Sequence, residues 1–311
     1  MASLDLSALS KYTDQLGQSI MKEATLRGRT LDVITVVPGV KYKTSLNLMT
    51  DTLAGQIGAC SWNASGSTAL SQRDITVCPI KVNESICPDE LEQYWAGMAM
   101  KADGSYNTSA PDAFVQPYVQ LKQDGVSAMI DDIFWAGDTA TGTGNKKLCN
   151  GIMQILTKTS ASASTVNITK TAITVSNAIS ILDNSVISVV PTDVINDDKL
   201  ILFVGYDTFR TIATALKNAN YFAYTGAENQ GGSFMMPYLG TNITIMAVRG
   251  LNGAGQMLLT PAWNLVAGVD LLNDADEFRI FYDENDDEVR FRAKFKIGAQ
   301  VYFPAYCVVY A

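Results

Sequence analysis

Residues Val33 to Val82 carry strand and turn signals but very few large apolar side chains, and this stretch limits what the chain can become. Val33-Ile34-Thr35-Val36-Val37 is rich in β-formers and stops at Pro38-Gly39. Lys41-Tyr42-Lys43-Thr44-Ser45-Leu46-Asn47-Leu48 is polar, with large residues alternating. Ser61 to Ser71, around Asn63-Ala64-Ser65-Gly66-Ser67, has the composition of a long hairpin's tip, and Asp74 to Val82 returns as a strand. Such a hairpin cannot bury enough apolar surface to offset the entropy of ordering it. It is either a flexible loop or an arm whose packing a partner subunit completes.

The counterpart of this arm is a helical spine. Val126, Met129, Ile130, Ile133 and Phe134 share one helical face within Pro111–Trp135, with Gln120, Gln123, Asp124, Ser127 and Asp131 opposite. Phe114, Tyr118 and Leu121 keep helical spacing in a different phase. Gly125 at the change, with Pro117 in a first turn, predicts a bent helix or two segments. The helix runs into Trp135-Ala136-Gly137-Asp138, a Gly/Thr-rich turn to Gly144, and then Leu148-Cys149-Asn150-Gly151-Ile152-Met153.

Other elements follow from period and capping. Leu9, Tyr12, Leu16 and Ile20 predict a helix over 5–24, docked either on its own chain or on a neighbour, which Arg27-Gly28-Arg29 ends. Cys87-Pro88-Asp89-Glu90 opens a short helix with Leu91, Tyr94, Trp95 and Met98 on its apolar face. Val175 to Val186 predicts a helix and Lys199 to Val204 a buried strand. Asp207 caps a further helix, with Phe209, Ile212, Ala213 and Leu216 facing the core. Ile243, Ile245 and Ala247 alternate with Asn242, Thr244 and Met246 in a strand. Near the C-terminus Val289, Phe291, Ala293, Phe295 and Ile297 take one strand face and Arg290, Arg292, Lys294 and Lys296 the other. Phe278 to Tyr282 is its expected hairpin partner. Val301-Tyr302-Phe303 and Cys307 to Tyr310 are expected to extend that sheet, with Pro304 at an edge or bulge.

Composition narrows the chemistry. The chain has 311 residues, and 47% hydrophobic with 17% charged residues is a globular balance. A net charge of −8 argues against a nucleic-acid binder working by counterion release. The chain has no histidine, which removes Ser-His-Asp and Cys-His nucleophiles, imidazole zinc sites and the usual proton shuttle at neutral pH. Gly137 to Lys147 follows a helix and lacks a closing Gly-Lys-Ser/Thr, so it reads as a structural turn and not a phosphate loop. Asp283, Asn285 and Asp287 start like a calcium loop, but Glu288 and Lys294 stand where glycine and glutamate are needed. No catalytic, cofactor-binding or metal-binding constellation is found. The five cysteines are odd in number and lack a C-x-x-C pair, so reduced, mostly buried thiols in a cytoplasm are expected. The longest apolar runs, such as Leu200 to Val204, are far shorter than a membrane span, and no signal segment is seen. The basic stripe from Arg290 to Lys296 is either a solvated sheet face or a surface that pairs with an acidic patch of a neighbouring copy.

The order of these elements resembles the major capsid protein of tailed double-stranded DNA phages, the Hong Kong phage-type fold shared with encapsulin shells. The wording is most similar to capsid proteins of crAss-like and related phages at Pro38-Gly39-Val40-Lys41-Tyr42-Lys43, Cys60 with Gly66 and Arg73, and Cys87 before a Trp-containing helix. Ile133-Phe134-Trp135-Ala136-Gly137-Asp138 with Asn150-Gly151-Ile152 adds to it. The resemblance implies an α+β fold with an N-terminal arm (1–32), an extended β-hairpin loop (33–85) and a peripheral domain with the spine helix (86–149). An axial α/β domain (150–262) and a C-terminal peripheral sheet (263–311) would follow. It implies a non-enzymatic protein that self-assembles into hexamers and pentamers of an icosahedral virion shell in a host bacterial cytoplasm. Separate scaffolding, portal and decoration proteins would be partners, DNA would be held by enclosure, and no cofactor or membrane is implied. Candidate inter-subunit contacts are Lys41, Lys43, Asn63, Arg73, Arg290, Arg292, Lys294 and Lys296. An encapsulin-like cargo shell is the alternative, and an α/β enzyme or binding module a third reading.

Overall fold

The computed structural model describes residues 29–58, 60, 65–86, 110–158, 164–219, 234–238, 240–270, 279–283 and 288–311. The helices expected over 5–24 and after Cys87 lie outside them. The strands are β1 (Thr35–Pro38), β2 (Lys43–Thr52), β3 (Ser67–Thr76), β4 (Cys78–Ile86), β5 (Val166–Ile168), β6 (Leu200–Gly205) and β7 (Met235–Pro237). They continue with β8 (Thr244–Val248), β9 (Met257–Pro261), β10 (Leu265–Val269), β11 (Arg279–Asp283), β12 (Glu288–Val301) and β13 (Val308–Tyr310). The α-helices are α1 (Arg29–Val33), α2 (Ala110–Ala136), α3 (Ile152–Lys158), α4 (Ala178–Ile181) and α5 (Tyr206–Asn218).

The spine, α2, is one continuous helix of 27 residues, not two segments, and Pro117 lies well inside it. Val126, Ile130, Ile133, Phe134 and Trp135 are buried, each such burial contributing about 2 kcal/mol. They pack against Ile80, Phe291, Ala293, Phe295 and Ile297 of one sheet and against Phe203, Met246 and Leu258 of the other. The ring of Trp135 lies 4.9 Å from that of Phe203. The spine therefore seats both sheets.

The first sheet runs β1-β10-β12-β11 with β4 on the other side of β12, and the second runs β5-β13-β9-β6-β8-β7. In β12 the expected alternation holds, with Phe291, Ala293, Phe295 and Ile297 buried. Its expected hairpin with β11 also forms, from Arg279↔Arg292 to Asp283↔Glu288. The second sheet is covered on both faces. Ile201 and Phe203 join the core beneath the spine, while Leu200, Leu202 and Val204 join a separate core with Ile212, Leu216 and Val186. This is why β6 reads as an unbroken apolar run.

Several local expectations are corrected. Residue Val33 ends α1 and does not start β1. The helix expected from Val175 begins at Ala178 and continues as a π-turn over Leu182–Ile187. Gly205, not Asp207, precedes α5; the Asp207 carboxylate instead accepts from Gly253 N at 3.2 Å, which pins the turn after β8. In β8 both faces are buried, so Met246 does not alternate outward as expected. Pro304 opens a 3-10 turn, Pro304–Tyr306. Beyond it β13 leaves the C-terminal sheet and pairs with β5 and β9 of the other sheet. The cysteines also differ: Cys78 and Cys149 form a disulfide with Cα atoms 5.7 Å apart, within the span a disulfide needs. Cys60 is free and exposed and Cys307 free and buried.

Candidate functional site

The hairpin β2–β3 pairs in continuous register from Lys43↔Thr76 to Thr52↔Ser67. Ser67 to Ser71 are therefore strand, not tip. Its two ends differ in character. At the root, Leu46 and Ile75 pack on Val266 with Val37 and Tyr302 alongside. Arg73 Nη1 donates to the Val301 carbonyl at 3.0 Å, and Gln300 Nε2 donates to the Asp74 carbonyl at 2.7 Å. Burial lowers the Arg73 pKa below the usual guanidinium value. The root is thus packed by the chain itself, which the apolar content of the segment alone did not foretell.

Farther out that support ends. Met49 and Leu70 face each other across the two strands yet are 67% and 81% exposed, and Leu53 and Ile57 beyond them are 88% and 96% exposed. On either side of the Met49–Leu70 pair the same face carries a polar ladder. Gln72 Nε2 donates to Asn47 Oδ1 at 2.9 Å, and Thr68 Oγ1 to Asp51 Oδ1 at 2.7 Å. Ser45 Oγ donates to Asp74 Oδ1 at 2.7 Å, and Lys43 Nζ lies 2.7 Å from Asp74 Oδ2. The Lys43 hydrogen bond holds the Asp74 pKa below the usual carboxylate value and raises that of Lys43. Beyond its packed root the arm carries a cross-strand ladder of polar contacts and presents an uncovered apolar pair.

The remaining candidate residues separate. Lys41 is exposed, and Asn63 lies outside the described residues. Arg290, Arg292, Lys294 and Lys296 do share one face of β12, but all four are half-buried, so the face is not freely solvated. They stand in register with Ser85, Asn83, Lys81 and Pro79 of β4. Lys296 Nζ lies 2.8 Å from Asp270 Oδ2 within the chain.

Two buried polar nodes hold this arrangement together, and neither was read from the sequence. In the first, Asp131 is buried, contrary to its assignment to the polar face of the spine. Its carboxylate accepts from Thr30 Oγ1 and, at 3.0 Å, from Arg249 N, while Trp135 Nε1 donates to Thr30 Oγ1 at 2.9 Å. This node joins α1, the spine and the 3-10 turn Arg249–Leu251. Burial raises the Asp131 pKa despite those hydrogen bonds. The available signal was Trp135, one helical turn after Asp131 and therefore on the same face. In the second, Asn264 is fully buried. Its Nδ2 donates to Thr260 Oγ1 at 3.0 Å and Phe303 O at 2.9 Å, and its Oδ1 accepts from Phe303 N at 2.7 Å. The buried Cys307 thiol beside it is pushed up to about 12 by desolvation.

The turn after the spine depends on close backbone approach. A Cβ on Gly137 would stand 2.2 Å from the Cys149 carbonyl oxygen, and one on Gly151 would stand 2.6 Å from that of Ile133. Gly151 N donates to Gly137 O at 2.8 Å. Asn150 Oδ1 accepts from Thr139 N at 2.9 Å, and Lys158 Nζ reaches Asp138 Oδ2 at 2.5 Å. This accounts physically for the Gly-Asp and Asn-Gly steps in this region. It is a structural turn.

Structural likeness defines the class: the chain has the α+β fold of phage major capsid proteins. Over 94% of this chain and 89% of the other, it is similar to a chain of the satellite phage P4 procapsid that includes the size determination (Sid) protein, with a TM-score of 0.54 and 16% identity. It is similar to the capsid of the empty GTA particle over 91% and 89% of the two chains, with a TM-score of 0.55 and 11% identity. Likeness to the capsid of Myoviridae phage XM1 covers 92% and 90%, with a TM-score of 0.53 and 13% identity. No protein-family model matches the sequence, and no curated protein matches it. The narrower resemblance to crAss-like phages is not confirmed by these likenesses.

Proposed function

We propose that this chain is the major capsid protein of a tailed phage, copies of which assemble into hexamers and pentamers of an icosahedral shell around double-stranded DNA. The observation that carries the reading is the outer hairpin, where Met49, Leu53, Ile57 and Leu70 project uncovered from a root fixed by Arg73 and Ile75. Covering each of these side chains on a neighbouring copy would contribute about 2 kcal/mol. Closed symmetry multiplies such modest contacts into a stable shell. In this reading the arm (1–32), extended loop (33–85), peripheral (86–149 and 263–311) and axial (150–262) regions keep the division expected from the sequence. Assembly takes place in the host bacterial cytoplasm with separate scaffolding, portal and decoration proteins, and the role is structural.

Electron microscopy and sedimentation of the purified chain test this. Shells are expected for the native sequence, while the double variant Met49→Asp, Leu70→Asp should keep a native circular-dichroism spectrum and remain unassembled. A native chain that stays a discrete monomer across salt and scaffold conditions would overturn the proposal. Particles filled with protein in place of nucleic acid would favour the cargo-shell alternative.

A further inference from the structure

The Cys78–Cys149 bond stands at a mechanically sensitive place. Cys78 is the first residue of β4, one residue past Val77, where the chain leaves the hairpin and pairs Cys78 with Ile297 of β12. Cys149 lies in the turn that packs against the end of the spine, its carbonyl against Gly137. The bond thus ties the hairpin's root to the spine's C-terminal end. The two residues differ in exposure, because Cys149 is 3% exposed and Cys78 is half-buried.

Cytoplasmic thiols are held reduced, and disulfides persist in oxidising surroundings. We propose that Cys78 and Cys149 form a redox lock that is open while the shell assembles and closes when the particle meets an oxidising medium. This rests on the capsid reading above. The oxidant is a low-molecular-weight disulfide. The thiolate of Cys78, the more exposed of the two residues, attacks it, forming a mixed disulfide and expelling one small thiolate. Cys149 thiolate then attacks the Cys78 sulfur, closing the protein bond and expelling the second small thiolate. Two cysteine thiols are oxidised and one small disulfide is reduced to two thiols, which take up the two protons. The loop closed spans 71 residues, and a bridge of that length restrains the unfolded chain strongly.

Shells assembled with reductant present, then split between reductant and oxidised glutathione, provide the test. Thiol alkylation, mass spectrometry and peptide mapping should find Cys78 and Cys149 free in the first sample and bonded to each other in the second. Cys60, exposed in the single chain, should carry a glutathione adduct when unassembled chain is treated in parallel, which serves as a control for the oxidant. Closing the lock should shift the unfolding equilibrium of the subunit by roughly a hundredfold. The double variant Cys78→Ala, Cys149→Ala should assemble to the same yield and show no such shift. A bond already present before oxidant, glutathione left on Cys78, or reduced chains that fail to assemble until the bond forms would overturn the lock and leave the capsid reading standing. Reduced and oxidised chains that both fail to form shells would remove the capsid reading, and the lock with it.

Discussion

Removing the Asp131 carboxylate should be among the most damaging single changes in the described structure. In Asp131→Ala the N–H groups of Arg249 and Gly250 lose their acceptor, as does the Thr30 hydroxyl. A buried donor left unpaired costs about 1–3 kcal/mol. Two backbone donors, plus a weakened Thr30–Trp135 contact, give about 3–5 kcal/mol, somewhat offset because no carboxylate has to be desolvated. Asp131→Asn keeps the shape and one acceptor oxygen, so roughly half of that loss is expected. Urea unfolding of the unassembled chain, followed by tryptophan fluorescence, reads both. The pH dependence gives a second check. Burial, the largest cause, raises the folded-state pKa of Asp131, with Asp132 adding to it. Over the window from the ordinary carboxylate value up to the raised one, the folded state holds more protons than the unfolded state. The Asp131 contribution to stability is therefore full in acid and falls as pH rises through that window. Native stability relative to Asp131→Asn should decline with rising pH above about 4. An alanine variant within 1 kcal/mol of native, or a stability difference that grows with pH, would refute the reasoning.

Two further outcomes follow from the turn after the spine. Gly151→Ala drives a Cβ to 2.6 Å from the Ile133 carbonyl, a backbone atom that cannot swing aside, so a loss of about 3 kcal/mol is expected in thermal or urea unfolding. Asp138 has its pKa held well below the usual carboxylate range, chiefly by the Lys158 hydrogen bond and then by Thr141. Its contribution is present above the ordinary carboxylate pKa and lost as pH falls through the lowered one. Lys158→Met should therefore move the acid-unfolding midpoint to higher pH; an unchanged midpoint would show that the pair contributes nothing.

What the sequence disclosed was whatever is written in a local period. Phe291, Ala293, Phe295 and Ile297 alternate because one sheet face must meet the spine, and Val126, Ile130 and Ile133 recur because the spine must meet that sheet. The hairpin was visible in its turn chemistry. Hidden were the features that depend on which remote segment arrives. Asp74 to Val82 reads as one strand, yet pairing passes from β2 to β12 at Val77, and no local signal marks a change of partner along straight backbone. Residues Val308 to Tyr310 read the same in either sheet. The Cys78–Cys149 bond joins positions 71 apart, and spacing alone says nothing about proximity at that range. Asp131 was assigned by polarity to the outer face, whereas its partners Thr30 and Arg249 come from remote parts of the chain.

Besides the long passage from β4 to β5 by way of the spine, two short crossings carry the chain between the sheets, from β9 to β10 through Ala262–Asn264 and from β12 to β13 through Pro304–Tyr306. Asn264 bonds across both crossings, taking Thr260 from one and Phe303 from the other, and Tyr302 N adds a bond to its carbonyl at 3.0 Å. Trp263 stacks edge-on against Phe303 and Tyr306 and donates to Asp197 at 2.7 Å. A fully satisfied buried amide at such a point tolerates one geometry only, since any rotation of one sheet against the other leaves its polar atoms unpaired. The hairpin is anchored to the same joint, because Arg73 bonds Val301 at the end of β12 and Ile75 packs on Val266 of β10. Arm direction and the angle between the sheets are therefore set by one group of contacts. On the capsid reading proposed above, fixing both through one joint suits a subunit whose copies must close a shell of fixed curvature.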